Sequence, residues 1–189
     1  AAMSGSSQQA LAAELATLGY VDLFMRADTE HQDRLWNRPN GSPELEARAV
    51  GPGVPWEARF LAAEILFRKQ AGFPRKDQRD TLAPAYVEAL RNASMANPWG
   101  LPGELDGSAG QHLVSLGEGA AVELAGLLDD ARRLPYWGSQ EATWGNSFAF
   151  RVKDFAAFFL SVIRGQPYLL HTDPDARDAD IRKLARSPP

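Results

Sequence analysis

One strongly apolar segment constrains the fold more than any other part of the chain. Residues 148–163, with the sequence FAFRVKDFAAFFLSVI, leave almost no polar face when they are placed on a helix. A helix that is apolar nearly all round is buried on several sides, and the charges at Arg151 and Asp154 make this one unsuitable for crossing a membrane. We therefore predict a central buried helix that Asn146 or Ser147 caps, with Arg151 and Asp154 paired on one face.

The remaining apolar pattern predicts further helices and no strand. We place them at residues 8–26, with an interruption near Gly19, and at 56–70, 82–93, 108–116, 120–133 and 173–186, the last capped by Asp173. Residues 27–55 hold several Pro and Gly residues, which favour loop structure with one short helix at 42–49. The predicted fold class is therefore all-α.

Composition narrows the class of protein. The chain has 189 residues, of which 44% are hydrophobic and 23% charged, and this is typical of one soluble domain of moderate size or a short repeat array. The absence of cysteine excludes disulfides, thiol nucleophiles and cysteine–zinc sites. A net charge of −4 argues against a nucleic-acid partner. Residues 1–7 are small and polar and resemble a tag remnant or linker, so both a cytoplasmic protein and an exported one with its leader removed stay open.

Two of the predicted helices share a sequence pattern. Residues 61–66 read LAAEIL and residues 155–160 read FAAFFL, and a step of half their separation lands on another small pair, Ala109 and Gly110. Adjacent small residues let neighbouring helices approach closely. The repeating unit is therefore about 47 residues long and contains two helices, a length that lies in the range of HEAT and armadillo repeats.

At residues 116–130, LGEGAAVELAGLLDD, the chain resembles the second helix of the HEAT-repeat family, and residues 151–157, RVKDFAA, resemble the start of the first helix. The resemblance implies an α–α superhelix of about three helix pairs. Residues 8–55 would cap the repeat region at 56–189 and be continuous with it. The resemblance to HEAT repeats also implies a protein-binding or scaffolding role, with no defined active site and no cofactor.

Aromatic residues occupy similar positions along the predicted repeats. Trp56, Trp99 and Trp137, the last preceded by Tyr136, each stand before the first helix of a repeat, and Trp144 follows in the same loop as Trp137. In a helical repeat protein such positions share one edge, so one interpretation is an aromatic rim that binds a protein or peptide. The alternative is that each Trp fills the gap between adjacent repeats.

Polar residues of the loop at 136–146 and of the following helix suggest a second kind of site. Glu141, Asn146, Arg151 and Asp154 could line a pocket for a small ligand, with Glu141 or Asp154 as a general base in an enzyme. The alternative is that they anchor the loop, with Arg151 holding an acid and Asn146 capping the helix.

Motifs of known chemistry are missing from the sequence. There is no phosphate-binding loop, dinucleotide fingerprint, serine elbow or zinc-protease motif, and the acids after His171 fit helix capping better than a metal site. The leading prediction is a non-enzymatic module that binds a protein or peptide. A small-ligand binder or enzyme is the alternative, and the oligomeric state stays open.

Overall fold

The protein folds from helices alone in the part of the chain that the computed structural model describes, residues 5–138 and 140–187. The ten α-helices of these residues are α1 (Gly5–Phe24), α2 (Glu30–Asn37), α3 (Gly41–Val50), α4 (Trp56–Lys69), α5 (Arg79–Arg91), α6 (Ser108–Ser115), α7 (Glu118–Ala125), α8 (Gln140–Ser147), α9 (Val152–Ile163) and α10 (Pro174–Arg186). Two short 3₁₀ turns lie at Lys76–Gln78 and Asn97–Trp99. The all-α prediction is confirmed, and none of these helices is long and apolar enough to cross a membrane.

The chain divides into two compact units, with the boundary between Ala85 and Tyr86 inside α5. In the first unit each of the helices α1 to α4 packs against the other three. Their core is built mainly from leucines, and α4 contributes a buried run from Arg59 to Leu66. The helix α1 is kinked at Gly19, where φ is 66°, as the interruption in the sequence predicts.

The prediction that residues 27–55 are mostly loop is wrong, because α2 and α3 occupy most of them. The Pro and Gly signals mark the ends of these helices. Asn40 takes a left-handed conformation before α3, and Pro43 lies in the first turn of α3. A proline is tolerated there because the first N–H groups of a helix have no partner within it.

In the second unit α9 is the central helix, with α6, α7 and α10 packed against it. Every residue from Asp154 to Ser161 is buried, which confirms the predicted buried helix. Gly110 of α6 shows how close the packing is. A Cβ atom added at Gly110 would lie 2.8 Å from the ring of Phe159.

The boundaries around α9 differ from the prediction. The helix begins at Val152 and not at Phe148, and α8 lies within the predicted loop. The helix α7 ends at Ala125 because Gly126 and the following residues turn, and the chain then runs beside the segment before α9. Val152 donates its N–H to the carbonyl of Arg132 at 2.9 Å, and Leu134 donates to Phe150 at 3.0 Å. These non-local hydrogen bonds set the start of α9.

The repeat organisation stays a prediction. The helix α4, which the sequence pattern groups with the later helices, packs in the first unit against α1, α2 and α3. Of the predicted linker at residues 1–7, Gly5 to Ser7 belong to α1, and residues 1–4 lie outside the described part.

Candidate functional site

Two asparagines hold consecutive residues of the extended segment that follows α7. The side-chain amide of Asn146 accepts the N–H of Tyr136 at 2.8 Å and donates to its carbonyl at 2.9 Å. Asn97 does the same for Trp137, with both hydrogen bonds at 2.9 Å. A side-chain amide used in this way replaces a neighbouring strand. The backbone at Tyr136 and Trp137 is therefore fixed on both edges.

Successive side chains of an extended segment point in opposite directions, and here the two adjacent aromatic rings have opposite surroundings. Tyr136 is buried against Phe150 and Phe155, and its hydroxyl donates to the carbonyl of Gly100. Burial, and to a lesser extent the charge of Asp106, raises the pKa of Tyr136 far above its usual value. Tyr136 is therefore a core anchor, whereas the side chain of Trp137 is 60% exposed.

The other tryptophans are distributed between surface and core. Trp144 of α8 is 51% exposed and meets the ring of Phe148 edge to face at a centroid distance of 5.0 Å. Trp99 is only 3% exposed and packs near Phe159 of α9. It therefore belongs to the core of the second unit and cannot serve as an exposed rim residue. Trp56 is partly exposed at the start of α4, in the first unit.

Arg151 and Asp154 form the ion pair that their spacing predicts. Asp154 is 1% exposed and accepts the backbone N–H of Arg151 at 2.9 Å and its Nε at 3.1 Å. It also accepts Nη1 of Arg177 from α10 at 2.6 Å. The other terminal nitrogen of Arg177 donates to the carbonyl of Phe148. The acid thus caps α9 and ties α10 to its start.

A second acidic residue, Asp178 of α10, completes this network. Asp178 lies 2.8 Å from Nζ of Lys153 and 2.9 Å from Nη2 of Arg151. Burial raises the pKa of Asp178, but hydrogen bonds from Arg151 and Lys153 outweigh it, so the net pKa is lowered. Asp178 is therefore ionised at neutral pH.

Three of the four polar residues proposed as a pocket have one of two structural tasks. Asn146 holds the backbone of Tyr136 and does not cap α9, so the predicted cap is wrong; Arg151 and Asp154 form the capping contacts instead. The side chain of Glu141 lies outside the described part of the chain. Asp173 caps α10 as predicted, because its side chain accepts the N–H of Asp175 at 2.9 Å.

Two residues of the site were not predicted. Asn97 stands in a loop sequence that indicates only a turn. Its side-chain amide can both donate and accept hydrogen bonds, and this capacity is the one signal that the sequence offers. Arg177 lies among exposed charges of a polar helix, and its burial depends on the position of α9. Nothing in the local sequence indicates that burial.

No family model, no curated protein and no solved structure matches this chain. The resemblance to HEAT repeats therefore stays a prediction. Among the described residues no three His, Asp or Glu side chains are grouped so that they could hold a metal ion.

Proposed function

We propose that this protein binds another protein or a peptide, and that Trp137 and Trp144 insert into an apolar region of that partner. In the described part of the chain they are the only exposed aromatic side chains. This exposure is the observation that carries the proposal. Large aromatic side chains dominate the binding energy of protein interfaces and are usually withdrawn from the surface of a protein without a partner.

The way in which the two indoles are held supports the same proposal. Asn97 fixes both backbone groups of Trp137, and Asn146, which fixes Tyr136, belongs to the same helix as Trp144. A backbone that is already fixed loses little conformational entropy when a partner binds. Each Trp side chain can bury roughly 150–250 Å² in a contact. Two such side chains supply the aromatic anchors of a larger interface.

The net charge of the chain favours a protein partner over a nucleic acid. The net charge is −4, whereas proteins that bind nucleic acid present an excess of Lys and Arg to the phosphates. The proposed role is that of a binding or scaffolding module, in which the helices of the second unit position the two tryptophans.

The test uses a library of displayed random peptides selected on the wild-type protein. Peptides that bind are then titrated against Trp137→Ala, Trp144→Ala and the control variant Val122→Ala, which removes an exposed apolar side chain of α7 in the same unit. We expect each Trp variant to weaken binding at least tenfold, corresponding to about 1.4 kcal/mol, and Val122→Ala to leave it unchanged.

Two outcomes would overturn the proposal. The first is a set of selected peptides that bind the Trp variants as tightly as the wild type. The second is equal weakening by the Trp variants and by Val122→Ala, because this would show nonspecific hydrophobic adhesion. Circular dichroism of each variant verifies that the helices are retained.

A further inference from the structure

A cavity of about 320 Å³ lies within the second unit, between α9, the connection that follows it, and α10. Its apolar walls include Ala157, Ile181 and Leu184, and its polar groups include Tyr168, Arg177 and Lys183. Mostly apolar walls with a few polar groups are typical of sites for small molecules, which occupy roughly 300–1,000 Å³. At roughly 30 Å³ for each water-sized group, this cavity holds about ten such groups.

Arg177 gives the cavity a specific chemistry. The side chain is 3% exposed, and both of its terminal nitrogens are used, one by Asp154 and the other by the carbonyl of Phe148. Its Nε is buried and has no hydrogen-bond partner in the described part of the chain. Burying a donor without a partner is unfavourable. Arg79 and Arg164 have a similar Nε, but neither lines this cavity.

The charges around the cavity favour an anion. Asp154 also lines the cavity, but Arg151 and Arg177 both pair with it, so its charge is compensated. Asp180 lies 2.8 Å from the Nε2 of His171. Asp180 also lines the cavity, and the ammonium group of Lys183, for which the structure shows no ion pair among the described residues, balances its charge. The excess positive charge comes from Arg151, Arg177 and Lys153, which together face only two acids, Asp154 and Asp178.

Tyr168 adds a neutral donor. Its ring packs edge to face on Phe158 at a centroid distance of 5.1 Å. Burial raises the pKa of Tyr168 well above its usual value, and the charge of Asp154 raises it further. The phenol therefore keeps its proton at neutral pH and can donate a hydrogen bond to a ligand oxygen.

We propose that this cavity binds a small carboxylic acid with an apolar body, of about ten non-hydrogen atoms in total. The carboxylate accepts hydrogen bonds from Nε of Arg177 and from Tyr168, and the ammonium group of Lys183 adds positive charge at the wall. The apolar body lies against Ile181 and Leu184. This site does not involve Trp137 or Trp144, so it stands independently of the proposed protein-binding function.

The experiment uses octanoate as the probe, because it has the predicted size and charge, and octanamide as a neutral analogue of the same shape. Binding is measured by titration calorimetry and by the NMR signal of the Nε–H group of Arg177 in ¹⁵N-labelled protein. We expect saturable octanoate binding that moves this signal, and at least tenfold weaker binding of octanamide.

Variants of α10 test the location. Leu184→Trp fills the cavity, whereas Ala185→Trp places the same indole at an exposed position of the same helix that does not line it. We expect octanoate affinity to fall at least tenfold in Leu184→Trp and to persist in Ala185→Trp. We expect Lys183→Gln to lower the affinity for octanoate without a change in the helix content.

The inference would be overturned by the absence of saturable octanoate binding, by equal binding of octanamide, or by unchanged octanoate binding in a folded Leu184→Trp variant. If the Leu184→Trp variant does not fold, octanoate affinity is measured on Leu184→Phe instead, and the Arg177 signal of the wild type serves as the second criterion. A signal that stays unmoved at saturating octanoate contradicts the proposed contact.

Discussion

The central helices of the two units, α4 and α9, carry related sequences but bury their acidic residues differently. Residues 61–66 of α4 and 155–160 of α9 are buried in full, and each segment has two alanines after its first large residue. The fourth residue of the first segment is Glu64, and its counterpart in the second segment is Phe158. In α9 the buried acid is Asp154, one residue before the segment begins.

The partners of these acids differ in their access to water. Glu64 is paired with Arg68 on the next turn of α4, at 3.3 Å, and with the hydroxyl of Tyr20. Arg68 keeps 22% of its side chain exposed. Arg177, the partner of Asp154, is almost completely buried and comes from another helix. Removal of a buried acid is therefore expected to destabilise most where its partner cannot turn to solvent, because the partner's charge is then left buried and unpaired.

The largest expected effect is that of Asp154→Leu. The change leaves Arg177 buried without a counterion and removes the capping contacts of α9. Removing one partner of a buried ion pair destabilises a protein by about 3–5 kcal/mol. Urea unfolding followed by circular dichroism measures this loss. A loss below about 1 kcal/mol would show that Arg177 finds water or another partner.

Gly110→Ala sharpens the comparison by testing the close packing on α9. The added methyl group would lie 2.8 Å from the ring of Phe159, which is too short for an ordinary contact. Overpacking of this kind destabilises by about 1–3 kcal/mol. The control is Gly126→Ala after α7, where the nearest atom to a new Cβ is 3.3 Å away and φ is −70°. Equal melting temperatures for both variants would contradict the close contact.

The two asparagines provide a matched pair. Asn146→Ala leaves the N–H and carbonyl of Tyr136 without partners beside a buried ring, and this is expected to destabilise by about 1–3 kcal/mol. Asn97→Ala removes the same two hydrogen bonds from Trp137, where water can replace them because the residue is exposed. Thermal unfolding compares the two variants, and an equal or larger loss in Asn97→Ala would contradict this explanation.

The smallest expected effect of the series is that of Glu64→Leu. The leucine resembles the apolar residue that α9 carries at the matching position, and Arg68 can turn to solvent. We therefore expect a loss of stability below about 1.5 kcal/mol, mainly for the hydrogen bond from Tyr20. The same urea experiment serves as the measurement. A loss that equals that of Asp154→Leu would remove the distinction between the two helices.

The features that could be predicted from the sequence depend on local chemistry. The apolar pattern identified the burial of α9, and an aspartate followed by a proline identified the start of α10. The start of α9 could not be predicted, because distant backbone groups at Arg132 and Leu134 and the guanidinium of Arg177 fix the chain there.

The tryptophans show the same limit within the candidate site. Trp99 and Trp137 stand in similar sequences, Pro-Trp-Gly and Pro-Tyr-Trp-Gly. Trp99 is nevertheless buried and Trp137 exposed. Their local sequences give both the same prediction. The difference arises because α9 covers Trp99 with Phe159, whereas the extended segment turns Trp137 away from Tyr136 and the core.

The central claim, that Trp137 and Trp144 are the anchors of an interface, is tested most directly by ¹⁹F NMR of protein labelled with 5-fluorotryptophan. The five tryptophans give five signals, which single Trp→Phe variants assign. On addition of a peptide selected on the wild-type protein, the signals of Trp137 and Trp144 should move while that of buried Trp99 stays in place. Unchanged signals from Trp137 and Trp144 with saturating peptide would contradict the claim.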